Sequence, residues 1–535
     1  MATSPAARPR AEVTEGGGAP DPRLAADVRP DGPGAPPTGE LGRAARGGLV
    51  TLVGAVASSG LGFVFSVLLA RELGAVGAGV VFQTIAVFTI ALSLVKLGLD
   101  TAAVWLLPRL VQSEPTALRA AVLAMLVPAL VAAVVTTASW FAVRPLLLGG
   151  AVSEAVVDSV SLAAWFLPAA SLMTVALAAT RGLGGVLPFT LIGNVAVPLL
   201  RPALLVALAA GGGAVLGGVT SWVAPWLGGA AAALVVLHRQ LDRHGASGWV
   251  LRRELRGRIA RFALPRTLAS GLEQTVVWLD VILVGVILGS AEAGVYGAAS
   301  RFVSAGVIIA TALRIVVAPR FSALLAREEL GAVEELYRVT ARWILLLGAP
   351  VYVVLAVFAP TVLSWLGPGF DDGVPATVVL CCGSIVVLAA GNVQALLLMS
   401  GRSGWSAFNK LLVVAFNVTG NVVLLPRYGI TAAAATWAAS MALDTVLAAL
   451  QVRRAAGVSV AAGAILRTLV AVVATVAAPA LAVVAVAGQG LVQLVVAGVL
   501  AVVLLGAYCR LDRRRLRLQE LVGLSRGRST SPGPR

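Results

Sequence analysis

Residues 78–98 have the sequence Ala-Gly-Val-Val-Phe-Gln-Thr-Ile-Ala-Val-Phe-Thr-Ile-Ala-Leu-Ser-Leu-Val-Lys-Leu-Gly, and Lys96 is the only charged residue among them. Only helices and closed barrels cross a bilayer, because every backbone amide there needs a partner inside the protein. A barrel strand alternates apolar and polar residues over about ten positions, whereas this run is predominantly apolar without such alternation and about twice as long. The stretch therefore predicts a membrane-spanning helix.

The composition of the whole chain agrees with a lipid environment. Hydrophobic residues make up 59% of the 535 positions and charged residues 12%, against about 25% charged in a soluble domain. Similar apolar runs recur and predict an all-α polytopic membrane protein with about fourteen spans. The spans are placed at 47–70, 78–98, 119–142, 156–180, 186–209, 214–237, 263–288, 294–318, 342–365, 375–399, 405–425, 429–451, 466–487 and 489–508.

The positions of the basic residues predict the orientation of the spans. With the N-terminus in the cytoplasm, the outer loops keep only Arg71, Arg144 and Arg427 of the 41 Lys and Arg residues, and most of the others fall in cytoplasmic segments. Loops rich in Lys and Arg stay on the cytoplasmic side. We therefore expect an inner-membrane protein with both termini in the cytoplasm. The net charge of +16 is interpreted as topology and attraction to anionic lipid, not as nucleic-acid binding.

Two stretches of the chain repeat one pattern. Leu73-Gly-Ala-Val-Gly-Ala-Gly79-Val follows the first predicted span, and Leu288-Gly-Ser-Ala-Glu-Ala-Gly294-Val follows the seventh. Six spans separate the copies, so two duplicated halves would share one orientation, around a pseudo-twofold axis along the membrane normal. Two parallel six-helix bundles around a central cavity suit alternating access. The alternative is that glycine-rich hairpins resemble one another in any membrane protein.

This pattern predicts how the chain is organised. A disordered cytoplasmic tail is expected first, since the N-terminal residues are rich in Pro, Ala, Gly and Arg. Two bundles joined by a basic linker follow, then two additional helices and a basic tail. The predicted boundaries are 1–44 for the tail, 45–237 for the first bundle, 238–262 for the linker, 263–455 for the second bundle, 456–508 for the two additional helices and 509–535 for the basic tail.

Charges inside the predicted spans mark the candidate site, because each costs roughly 2.5–3.5 kcal/mol on insertion scales and needs a partner or a wet cavity. Arg266, Glu273 and Asp280 are spaced by seven residues, which places them on one helix face. We expect that face to line a cavity or the interior of a bundle. Glu273 or Asp280 would then exchange a proton or a sodium ion to couple transport.

The cations inside the spans have two interpretations. In the structural one, Arg301 pairs with Asp280 and Lys96 with Asp100. In the functional one, unpaired cations bind a negatively charged substrate group, for which arginine suits phosphate because its planar fork donates paired hydrogen bonds. Arg201 has no acidic neighbour within its own span. The candidates for anion binding are Arg201, Arg301, Arg314 and Lys410.

The segment between the seventh and eighth spans is the most specific in the chain. It reads Asp280-Val-Ile-Leu-Val-Gly-Val-Ile-Leu-Gly-Ser-Ala-Glu-Ala-Gly-Val-Tyr-Gly-Ala-Ala-Ser-Arg301. This segment resembles the polysaccharide transporter family, the oligosaccharide or O-antigen flippases, with its pattern Asp-x4-Gly-x3-Gly-x4-Gly-x-Tyr-x2-Ala. The stretches at 70–74 and 97–102 are similar to the opening of the same family, and the resemblance covers about residues 45–455.

The resemblance implies translocation of a polyprenyl-pyrophosphate-linked oligosaccharide to the outer leaflet by alternating access. It also implies a cationic lumen, coupling to H+ or Na+, and glycosyltransferases and a polymerase as pathway partners. The matched positions are Arg71, Asp280 and Arg301, which adds Arg71 to the candidate cations. The family belongs to a larger group that includes multidrug extruders and a peptidoglycan-precursor flippase.

Other functions stay open at this point. A cation-coupled multidrug or metabolite extruder on the same fold would have an acidic, poorly cationic lumen. A membrane glycosyltransferase or ligase would need carboxylates or histidines on large loops, whereas the predicted loops are short. No enzymatic activity, metal site or cofactor is expected. His238 and His244 lie in the basic linker, and the adjacent Cys381 and Cys382 point to different helix faces.

Overall fold

Helices account for the apolar runs of the sequence, and no strand occurs among the residues that the structure describes. The structure is a computed structural model that describes residues 38–148, 150, 152–210, 215–249, 252–304, 317, 320–400, 403–457 and 462–512. Residues 50–535 form one unit. Residues 1–49 form another, of which 38–49 are described and helical.

Nine helices occupy the described part of the first half of the chain, which we take as the residues up to 243. A π-helical segment at Thr190–Ala196 joins the sixth to the seventh, and a short 3-10 turn at Pro115–Ala117 precedes the third. The helices are α1 (Thr38–Val95), α2 (Leu99–Ser113), α3 (Leu118–Leu147), α4 (Glu154–Ala164), α5 (Leu167–Gly182), α6 (Val186–Phe189), α7 (Val197–Ala210), α8 (Val215–Val223) and α9 (Pro225–Arg243).

The second half of the chain, from residue 253 onwards, is also built of helices. Residues 320–326 are helical, a 3-10 turn lies at Asp371–Gly373, and a π-helical segment lies at Val473–Ala477. The other helices are α10 (Arg253–Ile287), α11 (Ser290–Ser304), α12 (Leu330–Val357), α13 (Ala359–Ser364), α14 (Val374–Ala389), α15 (Val393–Met399), α16 (Ser403–Ala456), α17 (Ala462–Val472), α18 (Ala478–Ala487) and α19 (Leu491–Leu511).

Helices α1 and α16 are each broken by one glycine. A straight helix of 58 residues, the length of α1, would be about 87 Å long, against roughly 30 Å for the hydrocarbon core of a bilayer. Gly74 in α1 has φ 63° and ψ −174°, and Gly429 in α16 has φ 61° and ψ −155°. Residues with a Cβ atom rarely adopt these backbone angles, whereas glycine adopts them freely. Each run is therefore two helices that meet at a glycine.

Ten helices of the described residues are long and apolar enough to cross a membrane, or eleven if α4 and α5, bent by 49°, form one span. The ten include α1 and α16, each interrupted by its glycine. Much of the predicted eighth span, 294–318, lies outside the described residues. The all-α polytopic fold is confirmed, while the count of fourteen spans stays a prediction.

Each half of the chain has a hydrophobic core. In the first half, α2, α3, α5 and α9 bury Leu106, Met125, Val175 and Leu237 between them. In the second half, α14 packs against α12 and α16 around residues that include Tyr352, and this core continues into α1 and α8 of the first half at Phe65 and Trp222. Helices α17 to α19 lie against α12. They are held there partly by Arg342, which lies 3.5 Å from Asp512 and donates to Thr468 Oγ1.

The two repeated stretches touch each other directly. A Cβ atom on Gly79 would lie 1.7 Å from the carbonyl oxygen of Ser290, and one on Gly294 would lie 1.9 Å from the carbonyl oxygen of Ala75. The contact is reciprocal, because Ala75 and Gly79 stand at the same register positions in the first copy as Ser290 and Gly294 in the second. Such mutual contacts are what a twofold axis produces. The duplication itself stays a prediction.

The backbone contact between these glycines makes a substitution there costly. Gly79→Ala would place a methyl group much closer to a backbone oxygen than van der Waals contact allows. Overpacking of this kind costs about 1–3 kcal/mol. We expect a lower melting temperature for the detergent-purified variant, measured by tryptophan fluorescence. Gly60→Ala is the control, since a Cβ there meets nothing within 4 Å and alanine favours helix. Equal melting temperatures for the two variants would contradict the contact.

Candidate functional site

A cavity of about 270 Å³ lies between helices from both halves of the chain. Its wall is apolar except for serine hydroxyls on α1 and two guanidinium groups. The lining residues are Ser58, Ser59, Gly62, Phe63, Phe65, Ser66, Phe82, Ile85, Pro198, Arg201, Trp222, Trp278 and Arg301. The rings of Phe63 and Phe302 meet edge to face at 4.8 Å. The cavity is therefore shared by the two halves, and movement of one half against the other would change its shape.

Arg201 enters this cavity from α7. The helix follows the π-helical segment, and Pro202 lies inside it. Short π-helical segments are frequent at functional sites. The Arg201 guanidinium lies 4.6 Å from the ring centroid of Trp222 and 5.4 Å from that of Trp226, and its buried Nε has no hydrogen-bond partner.

Arg301 reaches the same cavity from α11. Its guanidinium lies 3.9 Å from the ring centroid of Trp278, and its buried Nε also lacks a hydrogen-bond partner. An aromatic face stabilises a cation by about 0.5–2 kcal/mol, but it carries no net charge. No described residue forms an ion pair with either arginine. The cavity thus holds two positive charges that the described part of the chain does not neutralise.

The suggested pair of Arg301 with Asp280 is not formed. Asp280 is 3% exposed and accepts hydrogen bonds from Asn421 Nδ2 at 2.9 Å and from Tyr296 Oη at 3.3 Å. Both donors are neutral. The structural interpretation is wrong for this pair and right for Lys96, whose Nζ lies 2.7 Å from Asp100 Oδ2.

The sequence profile of the family described as polysaccharide biosynthesis proteins matches residues 44–325, just over half of the chain. The chain belongs to this family. The matched range includes Arg71, Arg201, Asp280 and Arg301, so it spans the whole first half and the helices that carry Arg301 and Asp280.

One relative of the chain is described as a probable flippase. The chain is 25% identical over 175 residues to the probable low-salt glycan biosynthesis flippase Agl15 of Haloferax volcanii. The match covers 32% of this chain and 36% of that one, so the chain aligns with about a third of the relative's length.

Two solved structures show the fold. The lipid II flippase MurJ in an inward closed conformation superposes with a TM-score of 0.67 at 11% identity, over 88% of this chain and 99% of the other. An inward-facing multidrug resistance MATE family transporter superposes with a TM-score of 0.62 at 15% identity, over 77% of this chain and 98% of the other. The chain is therefore a multi-pass membrane protein whose fold resembles that of a flippase and of a multidrug transporter.

The remaining candidate cations lie away from the cavity wall or outside the described residues. Lys410 Nζ binds Asp444 Oδ2, which also accepts a hydrogen bond from Gln394. Arg71 is exposed, and its Nε donates to the carbonyl oxygen of Trp365. Arg314 lies outside the described residues. Among the predicted cations that the structure describes, Arg201 and Arg301 alone line one cavity.

The two candidate coupling carboxylates occupy different surroundings. Glu273 is half exposed and lies 3.4 Å from Arg266, whereas Asp280 is buried. The expectation that this face lines a cavity or the interior of a bundle stays a prediction at Glu273, where the face is open. The face is shared, as the seven-residue spacing predicts, but the neighbours of α10 change along its length. Helices α11 and α16 cover the face at Asp280 and leave it open two turns earlier.

Several residues of the site escaped the sequence argument. The tryptophans beneath the two arginines lie on other helices, so no spacing along the chain reveals them. Asn417 and Asn421 beside Asp280 are four residues apart on α16, with Asn421 Nδ2 lying 3.1 Å from Asn417 Oδ1. Two amides on one face of an apolar helix are a signal that the sequence contains.

The Lys410–Asp444 pair predicts a stability effect that tests the role of Lys410. Lys410→Met would leave the nearly buried Asp444 carboxylate with only Gln394, and breaking one side of a buried pair costs about 3–5 kcal/mol. We expect a marked fall in the melting temperature and partial recovery in the double variant Lys410→Met/Asp444→Asn. Lys96→Met is the control and should have a smaller effect, since its partner Asp100 is more exposed than Asp444. A Lys410→Met protein as stable as the wild type would show that the pair is not structural.

Proposed function

We propose that this protein is a flippase that moves a polyprenyl-pyrophosphate-linked oligosaccharide across the cytoplasmic membrane for cell-surface polysaccharide biosynthesis. The observation that carries the proposal is the pair of unneutralised guanidinium groups, Arg201 and Arg301, in a cavity shared by the two halves. Charge inside a membrane protein is costly without a partner. A substrate with a negatively charged head group supplies that partner, and the family and the named relatives favour a glycan-linked lipid.

The chemistry of the cavity fits a pyrophosphate carrying a sugar. Arginine donates paired hydrogen bonds to phosphate oxygens, and each guanidinium here has an Nε free of protein partners. Ser58 and Ser59 line the same wall and offer hydroxyl groups to a sugar. The rival function, extrusion of cationic drugs, would favour acidic groups in the cavity, and the described lining residues include none.

The outer glycine contact suggests how substrate enters. In the predicted orientation, Gly79 and Gly294 lie towards the outer face, so their contact would close that end of the cavity. Phe82 packs against Gly297 and lines the cavity itself. The head group would then enter from the cytoplasmic side while the polyprenyl chain stays in the bilayer. Rocking of the two halves would part the glycines and release the sugar outside, as alternating access requires.

The anion site is tested in proteoliposomes that contain a fluorescent polyprenyl-pyrophosphate disaccharide, with accessibility of the label to an external quencher as the readout. Arg201→Gln and Arg301→Gln should each lower the flipping rate at least tenfold, which corresponds to about 1.4 kcal/mol, because each removes half of the charge that binds the head group.

Arg144→Gln is the matched control, because it removes the same charge from an exposed ion pair with Asp158 at 2.7 Å. Its flipping rate should stay within about twofold of the wild type. Unchanged rates in both cavity variants, at equal protein amounts, would refute the anion site. Transport of cationic dyes but not of the lipid by the wild type would favour the drug extruder.

We also propose that Asp280 carries the coupling ion. It is a buried carboxylate with neutral hydrogen-bond donors, and intramembrane carboxylates commonly mark ion or proton pathways. One buried oxygen beside it, Asn421 Oδ1, has no hydrogen-bond partner among the described residues. The buried Thr436 Oγ1 has none either, and it lies 3.2 Å from where a Cβ would stand on Gly420, the residue before Asn421. Carboxylate, amide and hydroxyl oxygens are ligands of hard cations, which favours Na+ over a bare proton.

Coupling predicts that Asp280→Asn flips the lipid without responding to an imposed ion gradient, because the amide no longer binds the cation. The measurement compares flipping rates with Na+ gradients and with pH gradients across the vesicles. Lys410→Met/Asp444→Asn is the control, since it removes an equally buried carboxylate together with its partner, and it should retain the gradient response. Full gradient dependence of flipping by Asp280→Asn would contradict the assignment. A wild-type flipping rate that responds to the pH gradient and not to the Na+ gradient would identify the coupling ion as a proton.

A further inference from the structure

Two side-chain contacts join α10 to α11. The Tyr296 hydroxyl on α11 donates to Asp280 Oδ2 on α10 at 3.3 Å. The Arg301 guanidinium on α11 lies 3.9 Å from the ring centroid of Trp278 on α10. The first contact involves the proposed coupling carboxylate, and both members of the second line the cavity. The same two helices therefore connect Asp280 with a candidate anion-binding group.

The two hydrogen-bond donors at Asp280 are held in different ways. Asn421 Nδ2 donates to Asp280 Oδ1 at 2.9 Å and also lies 3.0 Å from the carbonyl oxygen of Asn417, so its own helix α16 anchors the amide. Tyr296 comes from α11, and its hydroxyl has a single hydrogen, which Asp280 accepts. Tyr296 is 2% exposed, so bulk water does not compete for this hydrogen. The hydroxyl thus depends on the carboxylate for its bond.

A cation bound to Asp280 would compete with the Tyr296 hydroxyl. Carboxylate oxygens bind a hard cation through the lone pairs that accept hydrogen bonds, and the hydrogen of the hydroxyl carries a partial positive charge that the cation repels. Asn421 offers an alternative, because its buried Oδ1 has no hydrogen-bond partner among the described residues and can face the cation. Tyr296 has to turn its hydrogen away. Cation binding therefore breaks the hydrogen bond between α10 and α11.

We infer that Tyr296 is a positioning residue that transmits the occupancy of Asp280 to the cavity. The inference rests on the proposed role of Asp280 in ion coupling. Without a cation, the hydroxyl ties α11 to Asp280 and keeps Arg301 against Trp278. With a cation bound, that tie is broken and α11 shifts relative to α10. Arg301 shifts with it, because five residues of one helix, about 7.5 Å along its axis, separate it from Tyr296.

Equilibrium binding of radioactive Na+ to the full-length detergent-purified protein tests the competition. Tyr296→Phe keeps the ring and removes the competing hydrogen. We expect it to bind Na+ about fivefold more tightly than the wild type, which corresponds to about 1 kcal/mol. Structural damage at the site would change the affinity in the opposite direction, since a distorted set of ligands binds a cation more weakly.

Tyr337→Phe is the matched control. Tyr337 is 1% exposed, and its hydroxyl donates to the carbonyl oxygen of Ala390 at 2.8 Å. The control therefore also removes the hydroxyl of a buried, hydrogen-bonded tyrosine, but one that shares no hydrogen-bond partner with Asp280. Its Na+ affinity should stay within about twofold of the wild type. Melting temperatures of both variants check that they fold.

Flipping in proteoliposomes tests the transmission. Tyr296→Phe should flip the lipid at a rate that no longer responds to the Na+ gradient, because α11 is released whether or not the ion is bound. Asp280→Asn should lose the gradient response and Na+ binding together. Tighter Na+ binding combined with a lost gradient response is therefore the signature expected of Tyr296→Phe.

Several results would overturn the inference while leaving the role of Asp280 intact. Weaker Na+ binding by Tyr296→Phe would make the hydroxyl a ligand of the ion, and unchanged binding would mean that it does not compete. Tighter binding with a full gradient response would mean that α11 transmits nothing. If the wild type shows no saturable Na+ binding, or Asp280→Asn retains it, both the assignment of Asp280 as a Na+ site and the inference fail.

Discussion

The cost of charge inside a bilayer is the constraint on which the rest of this structure depends. Each charged group within the helices has to be neutralised by another residue, exposed to water or matched by a ligand. Lys410 and Asp444 meet the first condition. Arg201 and Arg301 do not, and both sit on tryptophan rings that hold a cation without cancelling it. The paired charges therefore stabilise the helix packing, whereas the unpaired charges mark the candidate binding site.

The two halves of the chain contribute different charged residues. The first half contributes Arg201 and most of the cavity wall, and the second contributes Arg301. The buried Asp280 lies on the second half, surrounded by Tyr296 and Asn421 rather than by cations. The proposed anion site is thus shared by the two halves, whereas the proposed coupling carboxylate belongs to the second half alone. If an ion at Asp280 shifts α10 or α11, Trp278 and Arg301 on those helices shift with it, since they lie within a few turns of Asp280.

How far the sequence predicts this molecule can be followed residue by residue. Hydropathy locates the helices because lipid leaves few alternatives to helical backbone, and helix-breaking glycines such as Gly74 mark where one ends. The absence of acidic neighbours along the chain singled out Arg201, and the structure brings it to one cavity with Arg301. The contacts of the tryptophans with Arg201 and Arg301, and the exposure of Glu273, depend on which helices pack together. That information is not local in sequence, and a seven-residue spacing fixes a face without fixing what covers it.

The mutual contact of Gly79 and Gly294 has an evolutionary consequence. The space that a side chain would need at either glycine is occupied by a backbone carbonyl of the other half. Substitution elsewhere cannot create that room, because a carbonyl cannot be exchanged for a smaller group. If the two halves arose by the predicted duplication, they could diverge at almost every other residue, while these two glycines would be lost or kept together. The repeat would stay legible in the sequence where the backbones meet, long after helix-to-helix similarity had faded.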